Sequence, residues 1–553
     1  MQTSSCEKIT AMKQAGWWGN TTLDQIFSAA LASHPDDLAL IDPSNRGDLV
    51  HGDPRRLTFR EIDLLADRLA SRYFEAGLRQ GDRIAVHLPN TVEIILVYLA
   101  AARLGLIVSP MAVQYGTFEV SHITQTIDPS AYIAFTDFRG APFAEPILDI
   151  LPDSCTPLLF TSDSDATGSK ADVTQAYQDY RNGLAHSADD ILTICWTSGT
   201  TGRPKGVPRS HNHWLSSSVM CGKPVELPTG AAMLCPFPFI NMAAIGGFLF
   251  LWLQSKAKMI LHHPFEPAAY LQQLKDEQCA YTIAPPAILS KLLLQKDMIK
   301  AAGFLESVKT IASGSAPLDP AMVQGFTETF GIDIFNLFGS NEGMALIGTP
   351  VDVPDTSDRA TCFPRFGRPE FSWSTGIGDR IDTRLIDKDS GAEITEPGVP
   401  GELEIAGSTV FDGYYQSPED NAEAFTPDGY FRSGDLFEIT GDKNQYYRFV
   451  GRCKDLIIRG GMNISPEELD GILQSHPRIL EAAVYGKPDS ILGEKVCAVV
   501  VPMSGETITL KDLTDFMNEH GIAKFKRPEY LKIVDALPRS AMNKVPRHML
   551  KDL

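Results

Sequence analysis

The residues with the clearest chemistry are Thr197, Ser198, Gly199, Thr200, Thr201 and Gly202, followed by Lys205. Glycines at 199 and 202 let backbone N–H groups come close to an anion, the hydroxyls add donors, and the lysine adds positive charge. That set suits a chain of phosphates. The Walker arrangement G-x-x-x-x-G-K-[ST] is excluded: the two glycines are only three positions apart, and Lys205 is followed by Gly206 rather than by Ser or Thr. The stretch therefore reads as a phosphate loop of another kind. Such a loop needs a rigid base, and the apolar run 191–196 leading into it reads as a buried strand.

The run Trp196-Thr197-Ser198-Gly199-Thr200-Thr201-Gly202-Arg203-Pro204-Lys205-Gly206-Val207 resembles the signature Y-T-S-G-T-T-G-x-P-K-G-V of the adenylate-forming superfamily: acyl-CoA synthetases, firefly luciferase and peptide-synthetase adenylation domains. Five more motifs follow in that family's order. Ser313-Gly314-Ser315-Ala316-Pro317-Leu318 is similar to its G-x-A-P-L turn beneath the adenine, and Asn336 to Gly343 resembles N-x-Y-G-x-T-E. Gly429 to Asp435 is close to G-Y/W-x-x-T-G-D, and 451–464 matches G-R-x-x-D-x-I-x-x-G-G-x-N-I. Near the end, Leu537-Pro538-Arg539 with Lys544 resembles L-P-R-x-x-x-G-K, Asn543 standing for the glycine. Asparagine tolerates the left-handed region better than other residues with a side chain.

The resemblance implies roles residue by residue. Ser315, Ala316, Pro317, Asn336 and the aromatic Phe338 would face adenine, with Gly339 and Ser340 beside them, and Asn341 would donate to the α-phosphate in place of the usual Thr. Glu342 would offer oxygen to Mg²⁺, a hard cation. Asp435 would accept both ribose hydroxyls, Arg452 would contact ribose or phosphate, and Lys544 would be the catalytic lysine. Lys454 falls at the hinge, with Arg459, Gly460 and Gly461 on the thiol side. For the acid, the candidate lining is Phe239, Asn241, Ala244, Gly246, Gly314 and Gly339. Asn241 stands where the family usually has His, so it can donate a hydrogen bond but carries no charge. The small residues 243–247 leave either room for a bulky apolar acid or a tightly packed helix.

The implied function is an ATP-dependent carboxylic acid–CoA ligase that works through an acyl adenylate, acting on a medium-chain, alicyclic or aromatic acid. ATP, Mg²⁺ and coenzyme A are the expected cofactors. Alternatives are an acid–AMP ligase loading a separate carrier protein, a luciferase-like oxygenase, and a catalytically inactive relative that binds nucleotide or acyl ligand.

Composition narrows the field. A net charge of −20 argues against nucleic-acid binding. Residues 453–553 carry as many basic as acidic side chains, so the negative excess falls on the first 452. Nine scattered cysteines without a C-x-x-C pair indicate neither a disulfide framework nor zinc and suggest a reducing, cytoplasmic setting. No signal-peptide pattern opens the chain. The longest apolar stretch, 242–253, is shorter than the roughly 20 residues a membrane helix needs. Monomer and homodimer are both left open.

These motifs need a scaffold. Periodicity predicts helices over 21–34, 57–76 (behind a Thr58 cap), 92–104 and 287–294, and strands over 38–41, 83–88, 233–239, 280–284, 308–312 and 332–336. Alternating strands and helices imply layered α/β subdomains. Residues 161–190 read as a polar surface connection, with His211 and His213 on the first turn of a following helix. The Pro/Gly-rich stretch 345–445 reads as a small β-rich subdomain. A helix over 466–475, strands over 479–485 and 496–501, and a helix over 510–520 make a compact α+β end. The expected division is an adenylation domain over 1–451 and a mobile C-terminal domain over 452–553.

Overall fold

The computed structural model describes residues 2–161, 173–197, 204–453, 455–459, 462–489, 492–520, 522, 524–540 and 544–553. Its large N-terminal part holds three main sheets. Six strands run in the spatial order Lys205–Ser210, Ile191–Thr197, Ile107–Pro110, Arg83–His87, Ala131–Phe135, Thr156–Phe160. All pair in parallel except the first two, which form an antiparallel hairpin. An eight-stranded sheet carries Asp333–Ser340, Thr310–Gly314, Cys279–Ile283 and Ala232–Cys235 side by side, and a five-stranded antiparallel sheet lies within 362–452. A small C-terminal domain follows, its sheet built on Ile479–Asp489 and Gly493–Pro502.

The helix Val92–Leu104 shows why this packing is specific. Its sequence is apolar nearly all round, as a helix buried on every side requires, and every residue is buried. Its two charges are neutralised: Glu93 by Arg46 at 2.7 Å and by Arg55, Arg103 by Asp24, Asp63 and Asp67 at 2.6–3.0 Å. Buried charges persist only when paired in this way. At the helix Phe59–Glu75, Thr58 and Glu61 complete a reciprocal N-terminal cap.

Two expectations need correction. The connection expected over 161–190 contains a helix, Gln175–Gly183, capped by Thr174 and anchored by the buried Tyr177, whose hydroxyl donates to Asp67 at 2.9 Å. The strand expected over 233–239 ends at Cys235, since Pro236 and Pro238 have no N–H for the ladder. The β-rich region appears as the five-stranded sheet. Its last strand, Tyr446–Arg452, ends one residue short of Cys453, and the C-terminal sheet begins at Ile457. Among the described residues no helix is long and apolar enough to cross a membrane.

Candidate functional site

The phosphate-loop strand and its return strand pair antiparallel, with Thr197 opposite Lys205. Ser198, Gly199, Thr200, Thr201 and Gly202 lie outside the described residues. At the base, Trp196 donates its indole N–H to Ser109 at 2.8 Å, and its carbonyl accepts the Asn341 amide at 3.0 Å. Asn341 also accepts from Met242 N at 2.9 Å, and its carbonyl accepts Arg209 at 2.9 Å. Thus Asn341 ties three segments together: the strand Ile191–Thr197, the end of Asp333–Ser340 and the start of the helix at 242.

Lys205 makes an ion pair with Asp420 and lies 4.9 Å from the centre of the Tyr414 ring. The Tyr414 hydroxyl donates to Glu342 Oε1 at 2.9 Å. Tyr415 N donates to the Gly206 carbonyl at 2.8 Å, which docks this segment beside Lys205. One tyrosine therefore links the lysine of the phosphate loop to the carboxylate of the third motif. Glu342 is almost fully buried, and a single carboxylate beside a phosphate site is the donor set Mg²⁺ favours when substrate oxygens and water complete its shell. The residues fit that ion.

Asp435 and Arg452 face each other across adjacent strands, Arg452 Nε lying 3.1 Å from Asp435 Oδ1. Burial pushes the Asp435 carboxyl up to about 6, helped by Glu467, while Arg452 and Lys544 pull it down. The Lys544 side chain is exposed, yet it feels both desolvation and the charges of Arg452, Asp435 and Glu342. Desolvation lowers its pKa, as does Arg452, whereas Asp435 and Glu342 raise it. The C-terminal domain thus delivers Lys544 into the field of Arg452, Asp435 and Glu342. Asn543, Lys454, Gly460 and Gly461 lie outside the described residues.

A carboxyl titrating near 6 gives a pH signature. If Asp435 is the acceptor for two hydroxyl groups of the nucleotide, it can take both hydrogen bonds only when ionised, so KM for ATP is expected to rise as pH falls below about 6. In Asp435→Asn that acid limb should vanish, with KM high throughout; initial rates against pH check both.

The remaining residues divide. Ser315, Ala316 and Pro317 form an exposed turn, Ser315 in the left-handed region at φ 68°. Asn336 is buried, with its NH₂ donating to the Arg359 and Ala360 carbonyls at 3.0 and 2.9 Å, which leaves its carbonyl oxygen as the group able to read a base. Phe338 packs edge-on to Phe437 at 4.9 Å, and Gly339 and Ser340 are exposed at the strand end. Asn241 caps the helix at 242, accepting from Ala244 N at 3.2 Å, so its NH₂ is the side able to meet a carboxylate. Phe239 and Ala244 are buried. The open sides of two glycines are filled: a Cβ on Gly246 would meet Met242 Sδ at 2.9 Å, and one on Gly314 the Leu337 carbonyl at 2.4 Å. The space instead lies at Gly247, which is buried but has nothing within 4 Å of an added Cβ. It sits in the π-helical turn Ile245–Leu249, a local widening frequent at functional sites. Arg459 is apart from this cluster, bonded to Glu529 at 2.7 Å beside a shallow cavity of about 530 Å³ lined also by Lys524, Phe525 and Arg527.

Both histidines of the H-x-H pair are committed to protein partners: His211 Nδ1 accepts from Leu23 N at 3.1 Å, and His213 Nδ1 bonds Ser210 Oγ at 2.9 Å.

A family model described as "AMP-binding enzyme" matches residues 27–415, and one described as "AMP-binding enzyme C-terminal domain" matches 468–544. The chain belongs to the AMP-binding enzymes. Similar curated AMP-binding enzymes include pyochelin synthase PchD of Pseudomonas aeruginosa (strain UCBPP-PA14), 29% identical over 97% of this chain and 93% of that protein. Another is the medium-chain fatty-acid–CoA ligase of Escherichia coli (strain K12), 26% identical over 99% and 92%. Among solved structures, ATP-bound MatB from Rhodopseudomonas palustris superposes with a TM-score of 0.75 at 26% identity, covering 96% of this chain and 99% of that one.

Tyr414 and Asp420 were not singled out by sequence reading. Their signal was weak: two tyrosines followed by Q-S-P-E-D, with no spacing that points back to Glu342 or Lys205.

Proposed function

We propose that this AMP-binding enzyme joins a carboxylic acid to the thiol of coenzyme A through an acyl adenylate. One observation carries the reading: Lys544, from the C-terminal domain, shares an electrostatic environment with Glu342 and Asp435 of the N-terminal domain and with Arg452 at the boundary between the two. A protein that only bound nucleotide would not need a lysine brought there from another domain.

In the first step a carboxylate oxygen bonds to the α-phosphorus of ATP and the bond to pyrophosphate breaks. Asp435 fixes the ribose, Lys205 the phosphates, and the Lys544 ammonium meets charge that grows on the α-phosphoryl oxygens in the transition state. Lys205 must leave Asp420 to do so. Mg²⁺, when bound at Glu342, supplies further neutralisation of phosphate charge. In the second step the thiol sulfur attacks the acyl carbon, AMP departs with the bonding pair, and the thiol proton goes to solvent. We place the domain boundary at 452 and the hinge at Lys454, so that rotation withdraws Lys544 and brings Arg459 forward. The cationic group Arg459, Lys524 and Arg527 suits a phosphate-bearing thiol. The room beside Gly247 supports a bulky apolar acid.

A carrier protein is the second candidate acceptor, favoured by the similarity to pyochelin synthase PchD. The test is pyrophosphate release with Mg·ATP across a panel of carboxylic acids, with and without coenzyme A. Acid-dependent release with loss of free thiol supports the ligase. Release indifferent to coenzyme A moves the acceptor to a carrier protein, and silence across the panel, with nucleotide still bound, removes the catalytic reading.

A further inference from the structure

Residues 4–20 precede the region matched by the family model, yet they are built into the site's back wall. The helix Cys6–Gln14 sends Lys8 Nζ to Asp412 and, at 2.9 Å, to the Val410 carbonyl, and Ser4 also donates to Asp412. Trp18 donates its indole N–H to the Ser408 carbonyl at 3.0 Å, and Arg380 donates to the Trp17 carbonyl at 3.2 Å. On the opposite side, His213 Nε2 lies 3.3 Å from Asp412 Oδ2, and the Trp18 ring packs edge-on to His213 at 4.9 Å. Asp412 is therefore gripped from two elements: the N-terminal segment and the helix His211–Gly222.

What lies beside Asp412 gives the grip a function. Phe411 N donates to the Glu342 carbonyl at 2.8 Å, and two residues beyond Asp412 the Tyr414 hydroxyl donates to the Glu342 carboxylate at 2.9 Å. The segment 408–414 thus holds Glu342 by both backbone and side chain, and the N-terminal segment holds 408–414. Asp412 is largely buried, so its hydrogen bonds to an ammonium are of the stronger, charge-assisted kind.

We propose that Lys8 and Asp412 are positioning residues for the metal–nucleotide end of the site: the N-terminal segment clamps 408–414 so that Tyr414 aims the Glu342 carboxylate. This rests on the reading of Glu342 as the group that holds Mg²⁺. The bland alternative is a segment that adds stability alone, and the two differ in what they do to Mg·ATP.

The test uses the full chain with Lys8→Ala, Lys8→Arg and Asp412→Asn, and Lys13→Ala as a control. Lys13 belongs to the same helix but pairs with Asp189, at 2.7 Å, away from Asp412. Mg·ATP affinity by calorimetry and the KM values for Mg·ATP and acid in pyrophosphate exchange are the readouts. Lys8→Ala and Asp412→Asn are expected to weaken Mg·ATP about fivefold, the scale of one modest hydrogen-bond loss, with KM for acid unchanged. Lys8→Arg should restore the parent value and Lys13→Ala should match it. Variants that lower the melting temperature but leave Mg·ATP affinity intact would overturn the clamp, as would equal shifts in both KM values or a control that behaves like Lys8→Ala. Absence of Mg·ATP binding by the unmodified protein would instead sink the reading of the site itself.

Discussion

With alanine at position 544, acid-dependent pyrophosphate exchange is expected to fall about 10²–10³-fold, the cost of removing one preorganised charge from a developing oxyanion. Lys544 is held in a turn closed by Ser540 N to its carbonyl at 2.8 Å and by its own N–H to Ser540 Oγ at 3.2 Å, so its loss leaves the backbone in place. Affinity for Mg·ATP should change little, because the role proposed for Lys544 is toward charge that appears only in the transition state. The second half-reaction, assayed from preformed acyl adenylate and coenzyme A, should keep its rate. Equal losses in both halves would make Lys544 a structural residue, and an unchanged exchange rate would remove it from the chemistry.

Glu342→Gln is expected to lower the same rate about 10²-fold, since the metal's neutralisation of phosphate charge is worth several kcal/mol. Glutamine keeps the shape and still accepts from Tyr414, so the change isolates the negative charge. Raised Mg²⁺ should restore part of the activity. Tyr414→Phe is the comparison: it keeps the charge, frees one oxygen, and should cost only a few-fold. If the two variants lose equal activity with no response to Mg²⁺, Glu342 serves the fold and another group holds the metal.

Much of the scaffold was legible because its signals are local. The run 191–196 announced its strand by continuous hydrophobicity, 92–104 its helix by length, and Thr58 its helix start as a capping residue, to which the structure adds the reciprocal bond with Glu61. The helix Gln175–Gly183 was missed because one buried residue, Tyr177, is too little to set a period; Thr174 as a cap was the available hint. The site divides in the same way. Lys205, Glu342, Asp435 and Lys544 stood out by motif, but the partners that orient them come from distant sequence: Tyr414 is 72 residues from Glu342, and Asp420 is 215 from Lys205. No residue type foretells such a pairing, since a tyrosine or aspartate in a polar stretch is ordinarily solvated. The glycines show the reverse limit. Gly246 left room and close packing equally open and Gly314 was a candidate lining residue; one faces Met242 and the other a neighbouring strand's carbonyl, so smallness there serves close packing.

The pairing of Lys205 with Asp420 gives the protein an internal counter-ion for its phosphate lysine. If Lys205 takes the phosphates as proposed, nucleotide would enter by ion exchange: one anion would be displaced from the lysine as another took its place, and Asp420 would be returned to water. Added salt screens the contact being broken as well as the contact being made. Lys205's share of the ionic-strength dependence of ATP affinity would then be smaller than that of a bare lysine, and no unneutralised cation would stand at this position when nucleotide is absent.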